Sequence, residues 1–291
     1  MQSPNAEDEY GIAYQRQQVE KYRARATNHW RERIALAHRL VDDHVLPRRV
    51  GEDTSSLVVA DVGCSIGTFA IEFAKRGFRS FGVDFDAAAI EVARALAKEE
   101  GVAPEFFCGD VADWSARYPP IDIAICFDIF EHLHDDQLGS LLTAVRRALH
   151  PKGALVFQTY PTEHDWLFAG HRIVRAPLLP FARLPTSVFS RVVRAYSSLL
   201  DVGLVLTTGK THRERHANAV HCNPTTPERL RALFARTGFE VLVIESGTLY
   251  ADHERTTHTF ARHPIASRNI WGVACPTGGA EGLDHTPTGA P

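Results

Sequence analysis

Long hydrophobic runs are absent from this sequence: no stretch reaches the roughly 18 consecutive apolar residues that a membrane-spanning helix requires. The opening segment, MQSPNAEDEY, is acidic and lacks the apolar region of a secretory signal peptide. A strong excess of one charge is also missing, because the formal net charge is only -3 at pH 7. These absences predict a cytoplasmic protein that binds neither a membrane nor the phosphate backbone of nucleic acid.

Cysteine is scarce and scattered. The chain has five cysteines, an odd number, and no Cys-x-x-Cys pair. The sequence therefore predicts neither a disulfide framework nor a thiolate zinc site.

Apolar residues recur with two different periods. Residues 12–46 repeat them every three or four positions, which predicts a helical cap ahead of the core. Short apolar runs then alternate with helical stretches, which indicates an α/β fold with a doubly wound, mostly parallel, seven-stranded sheet. The predicted strands are 57–62, 80–84, 104–108, 121–127, 153–160, 239–246 and 269–275, and the predicted helices between them are 68–76, 87–100, 135–149 and 227–239.

Changes in composition divide the chain into five segments. Residues 1–50 form the cap, 51–160 the core, and 227–276 the part that completes the sheet. Residues 161–226 break the β-α alternation with further prolines and scattered basic residues, so we expect an insertion or lid over the substrate side of the core. Residues 277–291 are rich in Gly, Pro and Thr, which predicts a disordered tail.

A glycine-containing segment, ADVGCSIGTF, carries the most specific signal. Asp61 ends an apolar strand, and Gly63 and Gly67 precede a helix, where glycine permits close backbone approach and unusual torsion angles. A dinucleotide-binding fingerprint requires glycine at positions 63, 65 and 68, but two of these hold Ser and Thr. The segment therefore disfavours an NAD site.

Four further segments follow in a fixed order: GVDFD, FFCGDVADW, IDIAICFDIFEHL and LHPKGALVF. With the glycine segment, they resemble the class I S-adenosylmethionine-dependent methyltransferase family over about residues 57–160. The first motif of that family is an acidic residue followed by Gly-x-Gly-x-Gly, and this chain departs from it at Ser65. The resemblance implies a Rossmann-like methyltransferase fold and S-adenosylmethionine as the cofactor.

The resemblance also implies contacts to the cofactor at the ends of the strands. Asp84 is expected to accept hydrogen bonds from both ribose hydroxyls, and Phe85 to stack on adenine. Asp110 is expected to accept from the adenine amino group, with the backbone of Val111 against the ring. The implied set of cofactor-binding residues is Asp61, Gly63, Cys64, Gly67, Asp84, Phe85, Asp110, Val111 and Phe127.

Candidate catalytic residues follow the fourth strand. A hydroxyl or amine acceptor that must lose a proton needs a base whose pKa lies near neutrality, and His132 has the best chemistry for that role. Asp128 lies four residues earlier, one turn away if the segment is helical, and the two could form an orienting pair. The alternative is that Glu131 and His132 cap and pack the following helix.

Further candidates lie at and beyond the fifth strand. His164 is a catalytic candidate, and Trp166 offers an aromatic surface to an acceptor. His221, with His216 and Asn223 nearby, could descend from the insertion into the cleft as a substrate contact. We expect no metal site, because the histidines show no tight His-x-x-x-His spacing.

The sequence therefore predicts an enzyme that methylates a small molecule, with O-methylation in natural-product biosynthesis or sugar modification as the first hypothesis. N- or C-methylation of a metabolite remains open, because the cofactor half is shared among these chemistries. A protein of another class, which binds S-adenosylmethionine as a sensor without methylating, also remains open. Nucleic-acid methylation is disfavoured by the DIFE segment after the fourth strand. The sequence does not indicate an oligomeric state.

Overall fold

The computed structural model describes residues 11–169, 172–216, 220–249 and 258–278. The predicted tail lies outside them from residue 279 onward. Among the described residues, no helix is both long and apolar enough to cross a bilayer.

One seven-stranded sheet runs through the molecule, in the order β3-β2-β1-β4-β5-β7-β6. Neighbouring strands from β1 to β5 pair in parallel, whereas β7 is antiparallel to both β5 and β6. This confirms the predicted fold class. The strands are β1 Val58–Val62, β2 Arg79–Asp84, β3 Glu105–Cys108, β4 Ile121–Phe127, β5 Leu149–Thr159, β6 Phe239–Gly247 and β7 Asn269–Pro276.

Helices cover both faces of the sheet. Val59 and Ile123 point to a cluster formed with α2, α3 and α4, and the adjacent Ala60 and Ala124 point to the opposite cluster with α5 and α10. Because successive strand residues face opposite sides, these central strands are apolar at most positions. The helices are α1 Ile12–Arg23, α2 His29–His44, α3 Thr68–Lys75, α4 Ala87–Glu99, α5 Asp135–Ala148, α6 Asp165–Ala169, α7 Arg172–Arg175, α8 Thr186–Thr208, α9 His212–His216 and α10 Pro227–Arg236.

The amino-terminal cap is two helices rather than the single predicted helix over 12–46. Asn28 interrupts it: the side-chain oxygen accepts from the Trp30 backbone N–H, and the amide nitrogen donates to the Lys21 carbonyl. Asparagine favours such caps over helix interiors because its side chain competes for backbone hydrogen bonds. A second helix, α2, therefore begins at His29.

The segment between β5 and α10 contains α6 to α9 and has a small apolar core of its own. Leu167 and Phe168 of α6 pack there with Phe189 and Val193 of α8. The insertion expected over residues 161–226 is therefore largely helical.

Parallel pairing brings the carboxyl ends of β1, β2, β4 and β5 to the same edge of the sheet. The segments that follow them begin at Gly63, Phe85, Asp128 and Tyr160. Open α/β sheets bind ligands at this edge.

Candidate active site

The loop between β1 and α3 is a close-packed backbone turn. Gly63 and Gly67 have φ values of 70° and 78°. A Cβ at Gly63 would lie 2.5 Å from Ile129, and one at Gly67 would lie 2.7 Å from the ring of Phe106. Glycine is therefore required at both positions for space and for backbone conformation.

Ser65, where the family pattern has its central glycine, also adopts a left-handed conformation, with φ 46°. The Ser65 N–H donates to Asp84 Oδ2 at 2.8 Å, and its hydroxyl donates to Gln15 of α1 at 3.0 Å. These two bonds hold a residue that otherwise disfavours this conformation. The cap helix thus helps to shape the loop.

Asp61 lies beneath the start of α3. Its Oδ2 accepts the N–H groups of Phe69 and Ala70, each at 3.1 Å, at the positive end of the helix. Burial raises the pKa of this carboxyl to about 7, although the two hydrogen bonds oppose the rise. In this structure Asp61 anchors the loop to the helix, and direct contact with the cofactor stays a prediction.

Asp84 and Phe85 stand side by side where β2 ends. Asp84 Oδ1 accepts the Asp86 N–H at 3.0 Å, so both oxygens hold backbone donors and keep lone pairs for more. The Phe85 side chain is 74% exposed, an unusual state for an aromatic ring and one that suits a ligand-stacking position. Burial raises the pKa of Asp84, with the backbone donors opposing it.

The other predicted cofactor residues fall into exposed and buried groups. Asp110 is exposed and accepts the Ala112 N–H at 2.8 Å. Val111 and Phe127 are buried, and so is Cys64, whose thiol pKa is raised well above its ordinary value by burial. Any contact of Cys64 with a cofactor would therefore involve its backbone rather than its thiol.

Asp128 follows β4 with φ 55°, another left-handed conformation that β-carbon-bearing residues rarely adopt. Its Oδ1 accepts from Arg33 of α2 at 3.0 Å, and both side chains are largely buried. Burial raises the pKa of the Asp128 carboxyl, and the Arg33 guanidinium opposes the rise. The cap helix therefore contributes a cation to the cleft.

His132 is oriented by the segment that returns from the insertion. Its Nδ1 lies 2.9 Å from the Val220 carbonyl oxygen. Because a carbonyl only accepts, Nδ1 carries the proton and Nε2 is the basic nitrogen of the neutral ring. Burial lowers the pKa of His132, while the Val220 carbonyl and Asp128 oppose the change.

Glu131 is fully buried beside this histidine. Its Oε2 accepts from the Thr159 hydroxyl at 2.8 Å, and Oε1 lies 4.0 Å from His132 Nε2. Burial raises the pKa of Glu131 well above its ordinary value. Glu131 and His132 do not cap the next helix, because α5 begins later and Gln137 accepts the His134 N–H there, whereas a packing role for the buried Glu131 stays open.

Aromatic rings line the face of this cluster that is formed by His221 and Tyr160. The His221 ring centroid lies 5.0 Å from that of His132 and 5.0 Å from that of Tyr160. The guanidinium groups of Arg33 and Arg268 lie 5.6 and 5.8 Å from the Tyr160 ring. The structure thus brings His132, Asp128 and His221 close together, and their catalytic and substrate roles stay predictions.

His164 and Trp166 lie elsewhere. The charged neighbours that act on His164 include Arg194 of α8 and Glu228 of α10, and burial lowers its pKa. Trp166 stacks on the His212 ring at 4.2 Å. Their contacts are with the insertion, so their catalytic and substrate roles stay predictions.

A carboxylate and two imidazoles form a candidate metal-ligand group that the sequence did not predict. Donor atoms of Glu131, His132 and His221 all lie within 4.8 Å of one another. Two ligands bound about 2.1 Å from one ion are at most about 4.2 Å apart, so binding would require a small closure. Spacing did not signal this group, because His221 is distant in sequence.

Sequence reasoning also missed Arg33 and Tyr160. A signal for Arg33 existed, since it lies three residues after Trp30 and one before Ile34, both on the buried stripe of α2. A charged residue on an apolar stripe needs a buried partner. No such signal marked Tyr160.

The geometry places a candidate cofactor loop beside a cluster of aromatic and titratable side chains, and comparison with known proteins identifies similar chains. A family model described as a methyltransferase domain matches residues 59–153. A ubiquinone biosynthesis O-methyltransferase of Klebsiella pneumoniae subsp. pneumoniae is 30% identical over 171 residues, covering 58% of this chain and 66% of the relative. The chain thus spans just under two thirds of that relative's length.

Two further proteins extend the comparison. A ubiquinone biosynthesis O-methyltransferase of Photorhabdus laumondii is 28% identical over 72% of this chain and 86% of its own. The crystal structure of an S-adenosylmethionine-dependent methyltransferase from Clostridium acetobutylicum has a TM-score of 0.53 at 8% identity, covering 91% of this chain and 99% of that one. That likeness supports the fold alone.

The family match over residues 59–153, the relatives and the fold together support a class I S-adenosylmethionine-dependent methyltransferase. S-adenosylmethionine is the cofactor of this class, and the residues present fit it. The acidic side chain of Asp84 lies at the carboxyl end of β2, next to the exposed aromatic ring of Phe85. Asp84 and Phe85 would hold the nucleoside.

Proposed function

We propose that this chain transfers the methyl group of S-adenosylmethionine to a hydroxyl oxygen on the aromatic ring of a small molecule. The observation that carries the proposal is the orientation of His132, which the Val220 carbonyl holds as a neutral base. The relatives are ubiquinone biosynthesis O-methyltransferases, which supports oxygen as the methylated atom.

An aromatic acceptor suits both the shape and the proton chemistry of the cleft. The rings of His132, His221 and Tyr160 offer faces on which an aromatic ring can pack. A phenolic hydroxyl has a pKa near 10, within reach of a neutral imidazole, whereas an aliphatic alcohol is a far weaker acid. A phenol or catechol is therefore a better acceptor for this site than a sugar.

Bound S-adenosylmethionine supplies an electrophilic methyl group on a sulfonium sulfur. As the acceptor oxygen forms its bond to the methyl carbon and the carbon–sulfur bond breaks, His132 Nε2 takes the hydroxyl proton. Asp128 borders this histidine, and its charge favours the imidazolium that results. Arg33 stabilises a developing phenolate at the same cleft. Most of the remaining rate enhancement comes from alignment of the two reactants.

The insertion belongs to the acceptor side in this proposal. Its returning end supplies both Val220, which orients His132, and His221, which extends the aromatic wall. An intermediate of ubiquinone biosynthesis is the first acceptor to test, given the names of the relatives. Natural-product tailoring, which the sequence suggested, has no support from those names.

The test is transfer of a labelled methyl group from S-adenosylmethionine to a panel containing a catechol, a sugar, an aliphatic alcohol and an aromatic amine. Mass spectrometry of the product then locates the methyl group. We expect transfer to the catechol oxygen. Transfer only to nitrogen or carbon would contradict O-methylation, and tight cofactor binding without turnover on any acceptor would favour a sensor.

Variants test the base. His132→Ala should lower kcat by about 100-fold or more while the dissociation constant for S-adenosylmethionine stays unchanged. His150→Gln is the control, because His150 contacts Arg49, which pairs with Asp122 at the amino end of β4, the opposite edge of the sheet. Equal rates for the two variants would contradict the proposal.

A divalent cation is the alternative use of the same atoms. If Glu131, His132 and His221 hold one, His132 is a ligand and the cation activates the hydroxyl. Treatment with EDTA distinguishes the two cases. An unchanged rate supports the histidine base, whereas a lost rate that Mg²⁺ or Zn²⁺ restores assigns the cluster to a metal.

A further inference from the structure

The outer face of α8 exposes large aliphatic side chains. Leu199 is 67% exposed, Val202 57% and Leu206 81%, and Val188 at the other end of the helix is 40% exposed. Water-exposed aliphatic residues that form one contiguous surface commonly mark an interaction site. The opposite face of α8 already packs on the insertion through Phe189 and Val193.

These exposed residues follow a coiled-coil repeat. Apolar residues occupy six positions at alternating spacings of four and three, and we call this row the α8 seam. The seam consists of Val188, Val192, Ala195, Leu199, Val202 and Leu206, of which Val192 is half-buried and also packs against the apolar core of the insertion. A 4-3 repeat keeps one stripe of a helix facing a second helix over several turns, so knobs of one enter holes of the other. A helix that merely covers a globular core needs no such regularity on its solvent side.

We propose that the α8 seam pairs with the α8 seam of a second copy of this chain, in antiparallel orientation. An antiparallel pair centred near residue 197 places Ala195 opposite Leu199 of the other copy. It likewise places Val188 opposite Leu206, and Val192 opposite Val202. Each layer then combines a smaller with a larger side chain, or two of equal size. A parallel pair would place Ala195 against Ala195 and leave a gap in the middle of the interface.

The charge around the seam favours a second copy over a lipid surface. Arg191 and Arg194 flank the amino-terminal half of the seam, and Arg194 pairs with Glu228. Between residues 195 and 209, Asp201 is the single charged residue, and it accepts the His212 N–H at 2.8 Å. An anionic membrane would be matched by lysines and arginines along the exposed end of the helix. An antiparallel pair centred near residue 197 sets the arginine-bearing half of one seam opposite the carboxyl half of the other, which lacks lysine and arginine, so like charges stay apart.

The size of the seam predicts a reversible dimer. Standard interfaces bury about 800 Å² on each partner, whereas one helix face spanning about 27 Å supplies less. We therefore expect a monomer–dimer equilibrium at roughly micromolar concentration. Pairing would also fix the carboxyl end of α8, to which α9 is tied through Asp201 and His212. The proposed dimer goes beyond the methyl-transfer proposal and does not depend on it.

Sedimentation velocity from about 1 to 100 μM tests the proposal on the full chain. We expect the wild type to shift from monomer to dimer, and Leu199→Glu to raise the dissociation constant by at least about 30-fold, the effect of a buried hot spot. Ile173→Glu is the matched control, because Ile173 of α7 is 82% exposed but lies outside the seam. Circular dichroism and S-adenosylmethionine binding check that each variant is folded.

Cross-linking tests the orientation. In a Cys108→Ser background, which removes the exposed cysteine, Val188→Cys and Leu206→Cys chains are oxidised alone and mixed. Antiparallel pairing predicts a disulfide-linked dimer only in the mixture. A covalent dimer of the Val188→Cys chain alone would overturn that orientation. A wild type that stays monomeric at 100 μM would overturn the dimer, as would binding to anionic phospholipid vesicles that Leu199→Glu abolishes.

Discussion

Asp84 holds the cofactor loop in shape and, in our assignment, also accepts hydrogen bonds from the ribose. Its two oxygens accept the N–H groups of Ser65 at 2.8 Å and Asp86 at 3.0 Å. Each oxygen retains a lone pair for one ribose hydroxyl. Asp84→Asn keeps the size of the side chain but replaces one oxygen with an NH₂ group that cannot accept. A backbone donor or a ribose hydroxyl must then lose its partner.

The expected loss is large enough to measure. A hydrogen bond to a charged group contributes about 1.5–3 kcal/mol, so the dissociation constant for S-adenosylmethionine should rise roughly 10- to 100-fold. Because burial raises the pKa of Asp84, wild-type affinity should also weaken as the pH falls toward the acidic range and the carboxylate is protonated. The asparagine variant should lack this pH dependence.

Isothermal titration calorimetry with S-adenosylmethionine is the assay. Asp86→Asn is the control, since Asp86 accepts the Ala88 N–H at 2.8 Å at the start of α4, and asparagine caps a helix almost as well. Its affinity should match the wild type. An Asp84→Asn affinity within twofold of wild type would refute the placement of the ribose at this carboxylate.

Three further predictions concern stability, each measured by urea denaturation. Burial raises the pKa of Asp61 to about 7 from 3.8, so the folded state keeps a proton that the unfolded chain loses, and stability falls as pH rises between these values. Asp61→Asn should remove about 4 kcal/mol of that pH dependence of stability. If the variant shows the same slope of unfolding free energy against pH as the wild type, the raised pKa of Asp61 is disproved. Gly67→Ala should cost about 2–4 kcal/mol because the new methyl meets a phenylalanine ring at 2.7 Å, whereas Gly77→Ala, with open space around it, should cost only about 1 kcal/mol. Arg33→Met should lower the free energy of unfolding by about 3 kcal/mol, because it leaves Asp128 buried without its cation. Adding Asp128→Asn should recover part of this loss. If the effects of the two substitutions simply add, the two side chains are not coupled.

The fold was predictable because each of its strands obeys a local rule. β4 spans Ile121–Phe127 as predicted, since a strand covered on both faces is apolar at nearly every position, and its one charged residue, Asp122, pairs with Arg49. β5 begins at Leu149 rather than at residue 153, because Leu149 pairs with Ile121 ahead of an irregularity in the register. The prediction of a single helix over residues 12–46 was wrong at Asn28. The side chain of this residue caps a new helix there, although the apolar period of the sequence continues.

The candidate site likewise contains residues that the sequence predicted and residues that it did not. The loop glycines, Asp84 and Phe85 lie within short segments whose spacing is fixed by one strand and one turn, so their order in sequence predicts their position. Arg33 and His221 enter the cleft from the cap and from the far end of the insertion. No local period relates these residues to His132.

The sequence by itself determined the sheet, the cofactor loop and the class of cofactor, because these depend on apolar periodicity and on torsion angles within a few consecutive residues. The tertiary structure alone decided which histidine faces the Val220 carbonyl, which carboxylate is paired with Arg33, and that one face of α8 is left uncovered. Those outcomes depend on contacts between segments far apart in the chain, whose geometry is fixed only when the core packs.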